Sequence, residues 1–109
     1  MIPAVVNKKA KRGDTLKFEF GFEGVNLSDT QVRIQVRKKN GGPVILDSDT
    51  VGTLTNLYAN NETRLKWVVP YTQTEALLGV FDFDVQITSS SERNTWIEGT
   101  LEFRNDITK

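Results

Sequence analysis

Asp82 and Asp84 stand two residues apart in Phe81-Asp82-Phe83-Asp84-Val85-Gln86-Ile87, a run whose odd positions are apolar. On an extended chain, carboxylates at that spacing share one face and lie about 7 Å apart, at a rise of ~3.3 Å per residue. Such a pair could hold a hard cation or divide the roles of acid and base. A second reading starts from Arg33 and Arg37, which take polar positions in Val32-Arg33-Ile34-Gln35-Val36-Arg37. Opposite charges facing each other across neighbouring strands contribute about 0.2–1 kcal/mol per pair. A structural charge ladder between the two strands is therefore the favoured expectation. Asp47-Ser48-Asp49-Thr50 looks like the opening of a cation loop, but it lacks the sixth-position Gly and the closing Glu of a calcium hand and reads as a polar strand end.

The remaining chemistry is bounded by residue types that are missing. The 109 residues include no Cys and no His. That removes disulfides, thiolate nucleophiles, sulfur-based zinc sites and the commonest general base. No catalytic residue, metal ligand set, cofactor site or small-molecule substrate is expected. Net charge is zero, but residues 1–45 hold nine Lys/Arg and four Asp/Glu, whereas residues 46–109 hold five and ten. This balance argues against nucleic acid as a partner. No apolar run approaches the roughly 20 residues of a bilayer-spanning helix, so no membrane partner is expected. Met1-Ile2-Pro3-Ala4-Val5-Val6 lacks the pattern of a secretion signal, which points to synthesis in a cytoplasm.

The elements that position these residues are strands. Period-2 alternation is clearest in Thr15 to Glu23, Val32 to Arg37, Leu65 to Val69 and Phe81 to Ile87, each with one apolar face. Weaker candidates run over Ala4 to Lys9, Val44 to Asp49, Gly52 to Tyr58 and Thr95 to Phe103. Gly24 to Asp29 and the hairpin signal Asn40-Gly41-Gly42-Pro43 separate the early strands, which suggests that the order begins as a meander. Residues 71–78 form the one helix-like crossover. One domain over 1–109 is expected: an all-β, immunoglobulin-like antiparallel β-sandwich of seven to eight strands without the antibody Cys pair.

Candidate contact residues follow from this layout. Arg12-Gly13-Asp14 matches an adhesion tripeptide, yet Gly13 suits a left-handed bend and Asp14 a turn, and an alternating strand starts at once. It reads as a turn. Lys8, Lys9, Lys11 and Arg12 end the first strand, and Arg37, Lys38 and Lys39 end the third. If the first three strands run up, down and up, both basic runs meet at one pole, either to dock an acidic partner or to solvate strand ends. In Thr95-Trp96-Ile97-Glu98-Gly99-Thr100-Leu101-Glu102-Phe103 the odd positions face inward, which turns Trp96 outward as an interface anchor, unless a bulge tucks it over the core rim. Trp67, in phase with Leu65 and Val69, belongs to the core. Asn26-Leu27-Ser28 and Asn61-Glu62-Thr63 match glycosylation acceptors and mark surface loops.

The segments Lys11 to Thr15, Val32 to Arg37 with Asn40-Gly41-Gly42, Thr74 to Gly79, Phe81 to Thr88, and Gly99-Thr100-Leu101 with terminal Asp106-Ile107-Thr108 occur in an order that resembles small tailed-bacteriophage and prophage proteins. These are related to the N-terminal immunoglobulin-like domain of baseplate upper proteins. The sequence departs from that pattern at Phe81 and Phe83, where a tyrosine is common, and at Asn56 to Glu62, where a glycine is usual. The resemblance implies a non-enzymatic virion structural protein of the tail or baseplate, made in the bacterial host cytoplasm. Its partners would be other virion or tail proteins, with a homo-oligomer also compatible. The rival reading is a carbohydrate-binding β-sandwich module, in which an exposed Trp96 stacks on a sugar.

Overall fold

The computed structural model describes residues 4–104. Eight strands and one short helix follow one another: β1 (Ala4–Lys11), β2 (Leu16–Glu23), β3 (Gln31–Lys38), β4 (Val44–Asp47), β5 (Thr53–Ala59), β6 (Glu62–Val69), α1 (Tyr71–Thr74), β7 (Gly79–Thr88) and β8 (Arg93–Arg104). They form a five-stranded sheet, β1-β8-β7-β3-β4, facing a three-stranded sheet, β2-β6-β5. This is an immunoglobulin-like β-sandwich. Every pairing is antiparallel except that of β1 with β8, which is parallel. The expected meander is not formed: β1, β2 and β3 follow one another in sequence, but none pairs with the next. The reason is that the chain crosses between sheets at each of the first two turns. The terminal segment Asp106-Ile107-Thr108 lies outside the described residues.

Alternation decides which side chains fill the space between the sheets. Leu16 and Phe18 of β2, Leu65, Trp67 and Val69 of β6, and Phe81, Phe83 and Val85 of β7 are all buried, as their phase predicts. Phe18 lies at the centre, with ring centroids 5.7 Å from Trp67 and 5.0 Å from Phe83. Aromatic pairs at such separations contribute about 0.5–1.5 kcal/mol beyond the area they bury. The indole N–H of Trp67 donates to the Val51 carbonyl at 2.9 Å, so its one polar atom is satisfied inside. Gly52, at φ +73°, packs so closely on Trp67 and the Val68 carbonyl that a side chain there would collide with backbone.

The Arg12-Gly13-Asp14 segment is the crossing from one sheet to the other. The Asp14 amide donates to Lys11 O at 3.2 Å, and Gly13 sits at φ +87°, the signature of a type II turn with glycine third. The backbone amide of Asp14 closes the turn, and the hydroxyl of Thr74, the last residue of α1, donates to Asp14 O at 2.8 Å. Thr74 is fully buried, so this contact clamps the turn to the crossover. The β5–β6 hairpin turns on Asn60 and Asn61, at φ +53° and +60°, which is a two-residue type I′ geometry. Thr63 beside it is fully buried; its hydroxyl accepts from Leu27 N–H and donates to Val25 O.

Candidate functional site

The outer face of the five-stranded sheet carries the charged rows. Register places Arg37 of β3 opposite Asp82 of β7, and Asp82 opposite Thr100 of β8. The next row places Gln35 opposite Asp84 and Asp84 opposite Glu98. Arg37, Asp82, Asp84, Glu98 and Thr100, with Asn7, Thr95 and Gly99, line a shallow groove of about 440 Å³. Arg37 donates to Gln35 Oε1 at 2.8 Å rather than to either aspartate. Asp84 Oδ1 is buried without a hydrogen-bond partner, and burial pushes its carboxyl above the ordinary range; Arg37 opposes that shift and Glu98 adds to it.

The expected ladder is therefore half present. Arg37 faces Asp82 in register, but among the described residues neither Asp82 nor Asp84 makes an ion pair. Arg33 turns the other way, to Asp47 at 2.6 Å and Asp49 at 3.2 Å at the end of β4. The hairpin explains this choice: β4 brings Asp47 opposite Gln35, one step along from Arg33, while on the other side Arg33 meets Gln86. The hydrogen bond from Arg33 holds the Asp47 carboxyl down to about 2. Asp47-Ser48-Asp49-Thr50 is thus a turn that receives an arginine. Among the described residues no group of three His, Cys, Asp or Glu side chains is arranged to hold a metal.

The basic runs meet as strand directions require. β1 is parallel to β8, and both β8 and β3 are antiparallel to β7, so β1 and β3 end at the same pole. Lys9, Lys11, Arg12, Lys38 and Lys39 are exposed there, and Arg104 joins them opposite Lys11. Lys8 is the exception and corrects the sequence reading. It shares the inward face of β1 with Val6 and Ala10, and its ammonium sits 5.6 Å over the Phe18 ring. Its stem closes the side of the core, a packing role available to a long amphipathic chain.

Of the two placements expected for Trp96, the structure shows the bulged one over the core rim and not the outward one. Val85 pairs with Ile97 and Gln86 with Thr95, so Trp96 is the extra residue of a β-bulge and drops out of the alternation. Its half-buried ring packs edge-on against Phe22 at 5.6 Å. The flat, open platform on which a sugar would stack is therefore not what this side chain presents.

A surface feature that sequence reasoning did not single out lies on β5. Its seven residues, Thr53-Leu54-Thr55-Asn56-Leu57-Tyr58-Ala59, carry no charge, and it forms the edge of the three-stranded sheet. Leu57 is 65% exposed and Tyr58 37%. The other edges restrict which strand can join them: lysines on β1, charges on β2 that admit only a complementary strand, and shortness, a bulge and a preceding proline on β4. Exposed strand edges without such restrictions are templates for pairing with another chain. The legible signal was the missing charge, in a chain that is 26% charged.

No family model and no curated protein sequence matches the chain. Among solved structures it is similar to a family 123 glycoside hydrolase from Clostridium perfringens, with a TM-score of 0.61 and 12% identity over 100% of this chain and 24% of that one. The chain thus spans about a quarter of that enzyme's length. It is also matched to an extracellular fragment of novel immune-type receptor 11 from Ictalurus punctatus, with a TM-score of 0.48 and 11% identity over 99% of this chain and 90% of the fragment. At such identity the glycosidase likeness speaks for the sandwich fold alone.

Proposed function

We propose that this chain is a non-enzymatic structural module of a tailed-phage or prophage virion, placed in the tail or baseplate and acting through contacts with other tail proteins. It is made in the bacterial cytoplasm and ends in the particle. The observation that carries the protein-contact reading is β5: an uncharged edge strand presenting Leu57 at 65% exposure. Such an edge accepts an extended segment of a partner by strand addition, with main-chain hydrogen bonds for affinity and Leu57 as anchor. The virion assignment rests on the order of segments from about Lys11 to Thr108. The basic pole of Lys9, Lys11, Arg12, Lys38 and Lys39 supplies steering toward an acidic partner surface.

The test is incorporation into purified particles, followed by quantitative mass spectrometry, for the wild type and Leu57→Lys. The expected result is wild-type protein in the particles and about tenfold depletion of the variant, the effect of losing ~1.4 kcal/mol at an anchor. Absence of the wild type from particles overturns the virion assignment. Equal incorporation of Leu57→Lys overturns β5 as the contact.

A further inference from the structure

We propose that β2 pairs antiparallel with β2 of a second copy about a twofold axis, joining two three-stranded sheets into one of six strands. The sheet holding β2 has four strands in immunoglobulin constant-type sandwiches. Here it has three, because β1 pairs with β8 instead. The place beside β2 is open, and a groove of about 260 Å³ runs along it between Lys8 to Lys11 of β1 and Thr15 to Lys17.

The hydrogen-bond phase identifies the residues at that edge. Gly24 N–H donates to Asn61 O at 2.7 Å, and Phe22 faces Thr63 two residues further along the same ladder. Bonded pairs alternate in an antiparallel ladder, so Leu16, Phe18, Phe20 and Phe22 bond to β6. The backbone groups of Lys17, Glu19, Gly21 and Glu23 point away from it. Among the described residues none of these four backbones has a partner outside the strand ladder.

Electrostatics and the number of edge residues that find a partner together select the register. Leu16, Phe18, Phe20 and Phe22 face the core side, whereas Lys17, Glu19, Gly21 and Glu23 face solvent. A twofold pairing must set inner residues opposite inner ones, which leaves alternatives two residues apart. One places Glu19 against Glu19 of the second copy, and another places Glu19 against Glu23; both oppose like charges. A third, centred on Phe18, sets Lys17 opposite Glu19 but leaves Gly21 and Glu23 facing residues that precede β2 of the second copy, so half of the edge stays unbonded. The register centred on Phe20 sets Lys17 opposite Glu23 of the second copy, twice, and Glu19 opposite Gly21, whose outer face is covered by the Glu62 carboxylate and its ion-pair partner Arg64. All four edge residues then exchange bonds with the second copy, about eight backbone hydrogen bonds in total. Phe20 and Phe22, only partly buried in one copy, meet Phe20 and Phe18 of the other.

The test is sedimentation equilibrium from about 10 μM to about 1 mM, because a single-strand contact falls below ~1,200 Å² and in the weak class, with a Kd of order 100 μM. The expected result is a monomer–dimer equilibrium in that range. Glu23→Lys opposes Lys17 with lysine at both ends and weakens the dimer about 30-fold, and Lys17→Glu/Glu23→Lys restores it to within about threefold of wild type. Lys17 and Glu23 are exposed, so the variants keep the fold, which circular dichroism checks. A wild-type monomer at about 1 mM, a dimer insensitive to Glu23→Lys, or a charge-swapped double variant that stays monomeric each overturns the proposal.

Discussion

Replacing Gly99 by alanine adds one methyl group, and the fold leaves no room for it. Gly99 lies in β8 between Val6 of β1 and Phe83 of β7. A Cβ built on it would lie 2.6 Å from the carbonyl carbon of Val6 and closer still to the oxygen. Carbon atoms in contact rest about 3.5–4.0 Å apart, so β1 must recede by roughly 1 Å or more. That displacement carries the neighbouring interstrand bonds beyond hydrogen-bonding distance, and with them the docking of Val6, Ala10 and the Lys8 stem on the core. Two or three net hydrogen bonds at ~1 kcal/mol each, plus about 1 kcal/mol for half-buried Val6, set the loss at about 2–4 kcal/mol. For a domain of this size the melting temperature falls by about 10–20 °C. Gly99 is not among the glycines at positive φ, so the loss is steric. Gly79→Ala is the matching control: φ is +105° and nothing lies within 4 Å, so only about 1 kcal/mol of backbone strain is expected and β1 stays in place. Urea unfolding gives the energies, and amide exchange with limited trypsin cleavage at Lys8, Lys9 and Lys11 locates the damage. If Gly99→Ala stays within 0.5 kcal/mol of wild type, about the scatter of neutral substitutions, and the β1 amides remain protected, the close approach of β1 is not what requires glycine here.

Three further outcomes follow from the polar groups. Burial raises the Asp84 carboxyl in the folded state, so its contribution to stability is full below the unfolded carboxylate range and is lost as pH rises through the folded value. Asp84→Asn is therefore more stable than wild type at pH 7 and equal to it in acid; a destabilised variant at neutral pH would contradict this. Asp47, held down to about 2 by Arg33, works in the opposite sense: its stabilisation is present above the unfolded carboxylate range and disappears as pH falls toward 2. Arg33→Gln should return the Asp47 carboxyl to the ordinary range in an NMR titration, and an unmoved midpoint would remove Arg33 as the cause. Thr63→Val leaves the Leu27 amide without its acceptor and Val25 O without its donor, which costs about 2–3 kcal/mol in chemical denaturation; a loss under ~0.5 kcal/mol would show that neither bond matters.

Alternation located β2, β3, β6 and β7, each with buried residues on one face, because period 2 is a local property of the chain, and the four weaker candidates are strands too. Partnering is not local, which is why the meander expectation failed although the β3–β7 neighbourhood and the shared pole of β1 and β3 held. Trp96 shows what alternation leaves open within a single strand: period 2 alone turns the indole outward, and the bulge weighed as the alternative is what carries it over to Phe22. Lys8 shows another, since lysine reads as solvent-facing by type while its position beside Val6 and Ala10 makes it inward by phase. Arg33 found Asp47 across the β3–β4 hairpin, whereas the sequence reading had matched it to β7. For the contact surface, the informative feature of β5 was an absence of charge, which alternation analysis does not weigh.

The two unpaired edges of the three-stranded sheet differ in kind, and the difference has a consequence for assembly. β2 carries charges of both signs that suit self-pairing about a twofold axis, so contact through it closes after two copies. β5 carries none, so it constrains the partner by shape and main-chain bonding alone. Pairing through β2 leaves a β5 at each end of the six-stranded sheet, about 24 Å apart at ~4.8 Å per strand. The dimer then offers two copies of the Leu57 edge on one rigid plane. A partner repeated at a matching spacing is engaged twice, and the second contact forms at a raised effective concentration without any new interaction. Glu23→Lys should accordingly weaken incorporation into particles as well as dimerisation, with Leu57 untouched. Loss of the dimer with unchanged incorporation would show that single copies suffice and that the two edges serve unrelated ends.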